Sequence, residues 1–322
     1  MGTGKPSIAI LMAVYEPRMD WLRQQLCSLN EQTYPNLRLY IRDDCSPTVS
    51  FEEIERCVGE CVTKFPYSVC RNERNLGSNG TFERLTQEAE GDYFAYCDQD
   101  DVWLPEKLTV LEEAIERENA LLVCSDMYII DGEGRQMADS ITKIRRHHVF
   151  RSGTGLAEGL LTRNFVTGCT MLVRAEAAKS AVPFCPYMVH DHYIALCCGA
   201  RGKVYSYPNP TIRYRVHGNN QTGVMSGVID KKTYLTLRID AMEHRLQWLE
   251  RCFPYRESIN ESIQRHLKWV QARKKNWTRK EPLDLWHLRS CGASVTWYEL
   301  IMTRAPERLF QWTIRLTRKN IF

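Results

Sequence analysis

The stretch YCDQDDVWLP, residues 96–105, places three aspartates within four positions directly after the apolar run Tyr93–Cys97. Neighbouring carboxylates repel one another, and aspartate is a poor strand residue. Asp98 and Asp100 are two residues apart, so in an extended chain their side chains point the same way. Three interpretations compete for this acidic strand end: a divalent-metal site, the nucleophile of a phosphatase, or a solvated turn.

The chain around this stretch alternates short apolar runs with helical patterns, which is typical of a mostly parallel α/β sheet. We expect strands at SIAILMAVY, LRLYIRDD, YSVCR, DYFAYC, ALLVCSDMYIID and FVTGCTMLVR, and a pair of strands at KVYSYPNPTIRYRV. Pro105 should open the helix after the acidic stretch. From residue 230 onward the pattern is helical. The sequence therefore predicts a catalytic domain over residues 1–229 and a helical, basic, tryptophan-rich region over residues 230–322.

Charge is spread unevenly along the 322 residues. Residues 265–322 carry 13 Lys+Arg against 4 Asp+Glu, a surplus of nine, whereas residues 1–264 carry 30 against 35. A basic tail indicates an anionic partner, and a membrane surface fits better than nucleic acid because no recognised nucleic-acid motif accompanies the charge. No apolar run approaches the ~20 residues of a spanning helix. The 13 cysteines are odd in number and include no CxxC pair, which favours free thiols over a disulfide frame or structural zinc. We therefore expect a cytoplasmic protein, peripheral at most at the inner face of the cell membrane.

Carboxylates follow three of the predicted strands, at the end where open α/β sheets bind ligands. They are Glu16, Asp43 and Asp44, and the trio Asp98, Asp100 and Asp101. A shared cleft of acids needs a cation or hydrogen-bond donors, and Mg²⁺ or Mn²⁺ with a nucleoside diphosphate is the usual arrangement for oxygen ligands.

Two other enzyme classes can be weighed against this interpretation. DQDDV also fits the DxDx[TV] pattern of aspartyl-phosphate phosphatases, but that motif normally follows the first strand and is joined by a downstream Lys and a second acidic pair, which are not found in order. No GxGxxG follows any strand, which argues against a dehydrogenase.

Six segments together resemble an inverting family 2 glycosyltransferase with the GT-A fold: AVYEP, RDDCSP, RNLGSNGTF, CDQDDVWLPEK, HDHYIAL and YRVHGNNQTG. Within that family they are most similar to bacterial rhamnosyltransferases of surface-polysaccharide assembly, such as O-antigen or capsule. The resemblance covers residues 7–223 in order. It implies a Rossmann-like GT-A catalytic domain with a helical C-terminal extension, a dTDP- or UDP-linked donor sugar, and Mn²⁺ or Mg²⁺. The leading expectation is transfer of L-rhamnose from dTDP-rhamnose onto a glycan or a polyprenyl-diphosphate-linked glycan.

The resemblance also implies roles for individual residues. Asp191 would be the base that deprotonates the acceptor, and Asp100 and His217 would bind the metal. The nucleotide pocket would comprise Tyr15, Glu16, Asp43, Asp44, Arg74, Gly77 and Asp98, with Asp44 accepting from the pyrimidine N3–H. Arg215, Asn219 and Asn220 would contact the diphosphate or close over the donor. His190, His192, Tyr193, Thr167 and Gly168 would border the acceptor, although many family members carry Trp at the position of Tyr193.

Three alternatives stay open at this point. The protein could be the phosphatase described above, or a catalytically inactive nucleotide-sugar-binding protein. Asp191 could be a helix N-cap instead of a base. The predicted terminal helix Glu307–Ile321 could pack on the protein or in a homodimer, or it could lie on an anionic membrane. Its apolar side would hold Leu309, Phe310, Trp312, Ile314, Leu316 and Ile321, with Arg308, Arg315, Arg318 and Lys319 opposite.

Overall fold

The structure is a computed structural model that describes residues 4–145, 147–217 and 225–318. Asn219 and Asn220 lie outside the described residues, as do Lys319 and Ile321 of the predicted terminal helix. The chain divides into two compact units, the first formed by Met1–Phe184 with Val189–Gly218 and the second by Cys185–Met188 with Asn219–Phe322. The expected boundary at residue 229 lies inside the second unit.

The first unit is built on one sheet, which has nine strands within the described residues. They are β1 Ile8–Val14, β2 Leu37–Asp43, β3 Tyr67–Arg71, β4 Tyr93–Cys97, β5 Val102–Trp103, β6 Leu122–Ile130, β7 Gln136–Ala138, β8 Met171–Arg174 and β9 Val204–Arg215. Their order is β3-β2-β1-β4-β8-β6-β9-β5, with β7 beside β6. Strands β1 to β4 pair in parallel, β8 is antiparallel to β4 and β6, and β9 is parallel to β6. The expected mostly parallel α/β sheet is confirmed.

Helices connect these strands. They are α1 Met19–Asn30, α2 Phe51–Cys61, α3 Gly77–Glu88, α4 Lys107–Arg117, α5 Ile141–Ile144, α6 Ala157–Leu160, α7 Ala175–Lys179 and α8 His190–Arg201. Strand β4 is buried at every residue and β1 at every residue except Ala13. Such continuous burial is typical of parallel strands covered on both faces. It places the core of the unit at the strands that precede the acidic loops.

Two local expectations are wrong. KVYSYPNPTIRYRV forms the single strand β9, because its pairing with β6 skips from Tyr207 to Pro210 and resumes after the irregularity. Proline lacks the N–H that the ladder needs, and a bulge lets the strand pass over it. Helix α4 begins at Lys107 and not at Pro105. The carbonyl of Pro105 accepts the N–H of Thr33 (2.9 Å) and is therefore used outside the helix.

The second unit is helical, as expected. Its helices are α9 Lys231–Tyr234, α10 Ala241–Cys252, α11 Arg256–Arg279, α12 Leu283–His287, α13 Ala293–Met302 and α14 Glu307–Arg318, with a π-helical turn at Leu235–Asp240. Tyr234 stacks on Trp277 (4.7 Å between ring centroids) and meets the edge of Phe310 (5.6 Å). A buried ion pair joins Arg273 to Glu299 (2.7 Å). No helix in the described part of the chain has both the length and the apolar character needed to cross a bilayer.

Helix α14 does not have the single apolar side that the sequence predicts. Phe310 and Ile314 are buried, whereas Leu309 and Trp312 are exposed. At 100° per residue the exposed pair falls on the side opposite the buried pair. The helix therefore packs by one apolar face and presents a second to solvent.

Candidate active site

The acidic residues expected at the strand ends emerge at neighbouring points of one sheet edge. Val14 pairs with Asp43 across β1 and β2, and Met12 pairs with Cys97 across β1 and β4. The loops that start at Tyr15, Asp44 and Asp98 therefore leave the sheet side by side, and these loops form the candidate site.

A glutamine that the sequence analysis missed fastens two of these loops together. The Tyr15 N–H donates to Gln99 Oε1 (2.8 Å), and Gln99 Nε2 donates to the Tyr15 carbonyl (3.0 Å). The side-chain amide thus pairs with the backbone as another strand would. The only feature of the sequence that could have indicated this role of Gln99 is its position between the two aspartates of DQD. Gln99 fixes the position of the acidic stretch relative to the end of β1.

Asp100 and His217, the expected metal pair, are brought together. His217 Nε2 lies 2.6 Å from Asp100 Oδ2, with both side chains partly exposed. The imidazole packs on Trp21 (4.9 Å between ring centroids), and Trp21 Nε1 donates to the Gly132 carbonyl (3.1 Å). A carboxylate and an imidazole in this position can hydrogen-bond each other or, after a small rotation, ligate one divalent ion.

The acidic loop carries negative charge that the neighbouring positive groups do not fully neutralise. Burial, with the charges of Asp100 and Asp191, raises the pKa of Asp98 to about 7. Burial, with the charges of Asp100 and Asp98, raises the pKa of Asp101 well above its usual range. The buried Lys107 ammonium bonds the Cys169 carbonyl, and burial lowers its pKa to about 8. Carboxylates that raise one another's pKa in this way fit a site that a divalent cation completes.

Two sets of ligand atoms could hold that cation. Asp98, Asp101 and Cys169 offer atoms within 4.8 Å of one another. However, burial and the neighbouring carboxylates raise the pKa of the Cys169 thiol well above its usual range, so it stays protonated. Mg²⁺ and Mn²⁺ prefer oxygen ligands to sulfur. The carboxylate of Asp100 and the imidazole of His217 offer these ions an oxygen and a nitrogen atom, and they therefore suit Mg²⁺ or Mn²⁺ better than the trio that includes the thiol.

Arg215 is buried beneath the acidic loop and does not face a diphosphate. Its guanidinium donates to the carbonyls of Asp100 (2.8 Å), Asp131 (3.2 Å) and Gly132 (3.2 Å), and to Gln24 Oε1 (2.8 Å). Its backbone N–H donates to Asp101 Oδ1 (2.9 Å). The structure thus replaces the expected diphosphate contact with a positioning role, because the guanidinium donors point at carbonyls inside the protein. The carboxylate of Asp101 is thereby tied to β9.

Asp191 lies in the first turn of α8 and is not its N-cap, which is Val189. Its Oδ2 accepts the Gly168 N–H (2.9 Å), and its Oδ1 accepts Asn164 Nδ2 (3.1 Å) and the His192 N–H. Burial raises its pKa to about 6, and these three donors limit the rise. A carboxylate with this pKa is mostly ionised at neutral pH and is more basic than an ordinary aspartate.

Comparison with known proteins identifies the family. The model of the protein family described as "Glycosyl transferase family 2" matches residues 9–180, which is more than half of the chain. The chain belongs to glycosyl transferase family 2. An uncharacterized glycosyltransferase of Nostoc sp. is 25% identical over 211 residues, 62% of this chain and 62% of that protein, so the chain spans less than two thirds of that relative. The dTDP-rhamnosyl transferase RfbG of Shigella flexneri is 25% identical over 231 residues, 66% of this chain and 73% of RfbG.

Solved structures agree in fold. S. aureus TarS 1-349 in complex with UDP-GlcNAc has a TM-score of 0.57 at 12% identity, covering 90% of this chain and 82% of TarS. The mannosyltransferase PcManGT of Pyrobaculum calidifontis in complex with GDP-Man and Mn²⁺ has a TM-score of 0.58 at 12% identity, covering 99% and 87%. At these identities the likeness shows the fold alone, and the GT-A fold is confirmed. Membership of family 2 disfavours the phosphatase alternative.

The predicted nucleotide carboxylates also hold their own loops in place. Asp43 Oδ1 accepts Ser46 Oγ (2.6 Å), and Glu16 accepts the Thr48 N–H (2.8 Å). Asp44 Oδ1 accepts Asn72 Nδ2 (2.8 Å) and the N–H of Leu76 (2.7 Å). Asn72, which the sequence analysis missed, thereby orients Asp44.

The loop after Asn72 leads to the other two predicted nucleotide residues. Arg74 is exposed. Gly77 opens α3 with a φ of 73°, a left-handed conformation that favours glycine, and a Cβ there would meet no atom within 4 Å. Both positions are compatible with contact to a bound nucleotide.

Two of the predicted acceptor residues, His190 and Gly168, lie beside Asp191. The His190 ring packs on Phe82 (4.1 Å) and Tyr96 (5.3 Å), and burial lowers its pKa to about 3, so the imidazole is neutral. A Cβ on Gly168 would come within 2.8 Å of His190 Nε2, so only glycine lets the backbone approach this closely. Gly168 thus permits the turn whose N–H holds Asp191.

The other acceptor candidates are placed differently. His192 is buried, and its Nε2 lies 2.6 Å from the Leu160 carbonyl, tying α8 to α6. Tyr193 is buried, with its ring at the edge of Phe184 (6.3 Å). Thr167 is half-buried, and its carbonyl accepts the Thr170 N–H (2.9 Å). His192 and Tyr193 therefore face the protein interior and not an acceptor.

Proposed function

We propose that the protein is an inverting, metal-dependent glycosyltransferase of bacterial surface-polysaccharide assembly. The observation that carries the proposal is the carboxylate of Asp191, whose pKa is raised to about 6 and whose charge acts on Asp98 of the acidic loop. One site thus combines a base with the carboxylates that a nucleotide-sugar donor requires. Asp100 and His217 would hold the divalent ion, which when bound neutralises charge on the departing diphosphate, and Asp98 would contact the nucleotide.

The donor we favour is dTDP-rhamnose, and the acceptor a glycan or a polyprenyl-diphosphate-linked glycan. The support is the similarity to RfbG of Shigella flexneri, a dTDP-rhamnosyl transferase, at 25% identity. The putative colanic acid biosynthesis glycosyl transferase WcaA of Escherichia coli is 30% identical over 130 residues, 38% of this chain and 44% of WcaA. Asp44, held by Asn72, is the group that would select a pyrimidine by accepting its N3–H.

The residues of the chain account for a single displacement with inversion. Asp191 takes the proton of the acceptor hydroxyl as the hydroxyl oxygen attacks the anomeric carbon of the donor. The bond from that carbon to the diphosphate breaks, and the electron pair leaves with the nucleoside diphosphate. Gly168 and Asn164 hold the carboxylate in one orientation during this step. Arg215 and Gln99 hold the acidic loop where the leaving group departs.

Nucleotide binding with and without Mn²⁺ tests the donor site. Wild-type protein should bind dTDP and UDP more tightly with Mn²⁺ than without it, and should bind ADP weakly because adenine N1 is an acceptor. Asp100→Asn should lose the Mn²⁺-dependent part of dTDP binding. The matched control Asp284→Asn, an exposed aspartate of the second unit, should bind as wild type. Unchanged Mn²⁺ dependence in Asp100→Asn would contradict the metal assignment, and equal affinities for dTDP and ADP would contradict the role of Asp44.

Product analysis separates the enzyme from the two alternatives. An inverting transferase releases dTDP from dTDP-rhamnose in the presence of an acceptor and gives a product of opposite anomeric configuration, which NMR detects. A phosphatase would form a covalent phosphate on Asp98. A nucleotide-sugar-binding protein without activity would bind the donor and release nothing.

A further inference from the structure

The second unit exposes large apolar side chains on α12 and α13. Leu283 is 71% exposed, Trp297 51% and Ile301 59%, and Trp286 is exposed beside them. The rings of Trp286 and Trp297 are in contact, with their centroids 5.0 Å apart. We call these four residues the tryptophan face. Contiguous exposed apolar groups on a soluble protein usually mark a binding surface.

Helix α14 continues this exposed character. It is joined to α13 by a hydrogen bond between the hydroxyls of Tyr298 and Thr313 (2.9 Å). Leu309 and Trp312 point away from the buried side of α14. Two adjacent helices therefore each bury one side and present tryptophan and aliphatic groups on the other.

The charges near these exposed groups are predominantly positive. Arg308 and Arg315 are exposed on the same side of α14 as Trp312. The Arg289 guanidinium lies 4.6 Å above the ring of Trp286. Arg304 is exposed at the end of α13.

The nearby acids do not balance these arginines. Glu299 is buried in its ion pair with Arg273, and Asp284 is paired with Lys275 (3.2 Å). Residues 275–318 expose eight Lys and Arg side chains against three acids, Glu281, Asp284 and Glu307, so the surface combines tryptophans and aliphatic side chains with a net positive charge.

We propose that the tryptophan face and the outward side of α14 bind an anionic lipid surface. Tryptophan and isoleucine would sit at the headgroup level while the arginines contact lipid phosphates. A second copy of this chain would bring the same arginines against one another, which opposes a self-complementary contact. The inference goes beyond sugar transfer and depends on the proposed function only in that a lipid-linked acceptor would be met at this surface.

Vesicle binding tests the proposal on the full chain. Wild-type protein should co-sediment with vesicles of equal parts phosphatidylcholine and phosphatidylglycerol, and much less with pure phosphatidylcholine. The double variant Trp297→Ser with Ile301→Ser should lower the partition coefficient about tenfold or more. Arg308→Gln with Arg315→Gln should weaken binding and reduce its salt dependence. The control Met137→Ser removes a side chain of the first unit that is 63% exposed, and it should have no effect.

Several measurements decide between the outcomes. Thermal melting and Mn²⁺-dependent dTDP binding should match wild type in all variants, which shows that each variant is folded. Unchanged vesicle binding in both double variants would overturn the proposal. So would a wild-type dimer by light scattering that becomes monomeric in Trp297→Ser with Ile301→Ser, since the face would then bind a second copy. Lipid binding without sugar transfer would contradict the proposed function and leave this inference standing.

Discussion

Asp191→Asn gives the sharpest test of the site, because the wild-type pH dependence follows from the burial of that carboxyl. A pKa of about 6 makes Asp191 about nine-tenths ionised at pH 7 and about one-tenth ionised at pH 5. At saturating donor and Mn²⁺, where binding does not limit the rate, wild-type kcat should therefore fall roughly tenfold between these pH values, whereas an aspartate of ordinary pKa would change little over that range. The variant should transfer sugar about 10²–10⁴-fold more slowly and lose this acid limb.

The structure also indicates what Asn does to the fold. Both oxygens of Asp191 accept N–H groups, from Gly168 and from Asn164 and His192, so the new amide NH₂ must face a donor. That mismatch costs about 1–3 kcal/mol, and removal of a buried charge offsets it. Because folding raises this pKa, wild-type stability from the group is fully present below the unfolded pKa and is lost as the pH rises through about 6.

The assay compares initial rates from dTDP-rhamnose at several pH values with donor binding by calorimetry. Asp191→Asn should bind donor normally and melt close to wild type, and Asp284→Asn should keep both rate and pH profile. The assignment of Asp191 as the base would be refuted if Asp191→Asn turned over at a near-normal rate and its rate still fell between pH 7 and pH 5. The limb would then belong to another group, of which Asp98 is the nearest in pKa.

Three other perturbations follow from the same contacts. Since the pKa of Asp98 is raised to about 7, protons should compete with Mn²⁺ at the acidic loop. Calorimetry should therefore show that Mn²⁺-dependent dTDP binding weakens as the pH falls from 8 to 6 and that binding releases protons. Arg215→Met should lower the free energy of unfolding by more than about 3 kcal/mol in urea titrations, because it leaves several buried carbonyls unpaired; no destabilisation would contradict its positioning role. Phe310→Ala should cost about 3–5 kcal/mol, because its buried ring contacts Tyr234, and an unaffected melting temperature would show that α14 does not pack by this side.

Most of the sheet was predictable because its strands are short apolar runs that end in polar loops. β3 coincides with the predicted YSVCR, and β1, β2 and β4 differ by one residue or so at their ends. The failures lie where tertiary contacts compete with local pattern. Pro105 favours a helix start, but its carbonyl is taken by Thr33 from a distant loop. Similarly, α14 has apolar residues on two sides, and the sequence does not tell which pair is buried.

The site was predictable to the level of its loops and not of its hydrogen bonds. Asp98 and Asp100 could be named because carboxylates after strands are recognisable in sequence, and Asp191 because its segment HDHYIAL resembles family 2 glycosyltransferases. Gln99, Asn72 and Asn164 were missed because an amide side chain has no pattern until its partner is known. Arg215 was misassigned for the same reason, since an arginine near acids can bind either a ligand or backbone carbonyls, and burial decides between them.

The carboxylates of this site differ in role, and the difference follows from how deeply each is buried and from which groups it hydrogen-bonds. Asp43 and Asp101 accept backbone or neighbouring side-chain donors and are held inside the protein, so their carboxyl groups fix loops. Asp98 and Asp100 lie at the partly exposed edge, where Asp100 meets an imidazole and Asp98 is destabilised by neighbouring charge. A cation would relieve repulsion at the partly exposed edge, whereas the carboxylate of Asp43 already has protein donors. Aspartate therefore positions the site where donors inside the protein occupy its oxygen atoms, and it can bind a ligand at the partly exposed edge.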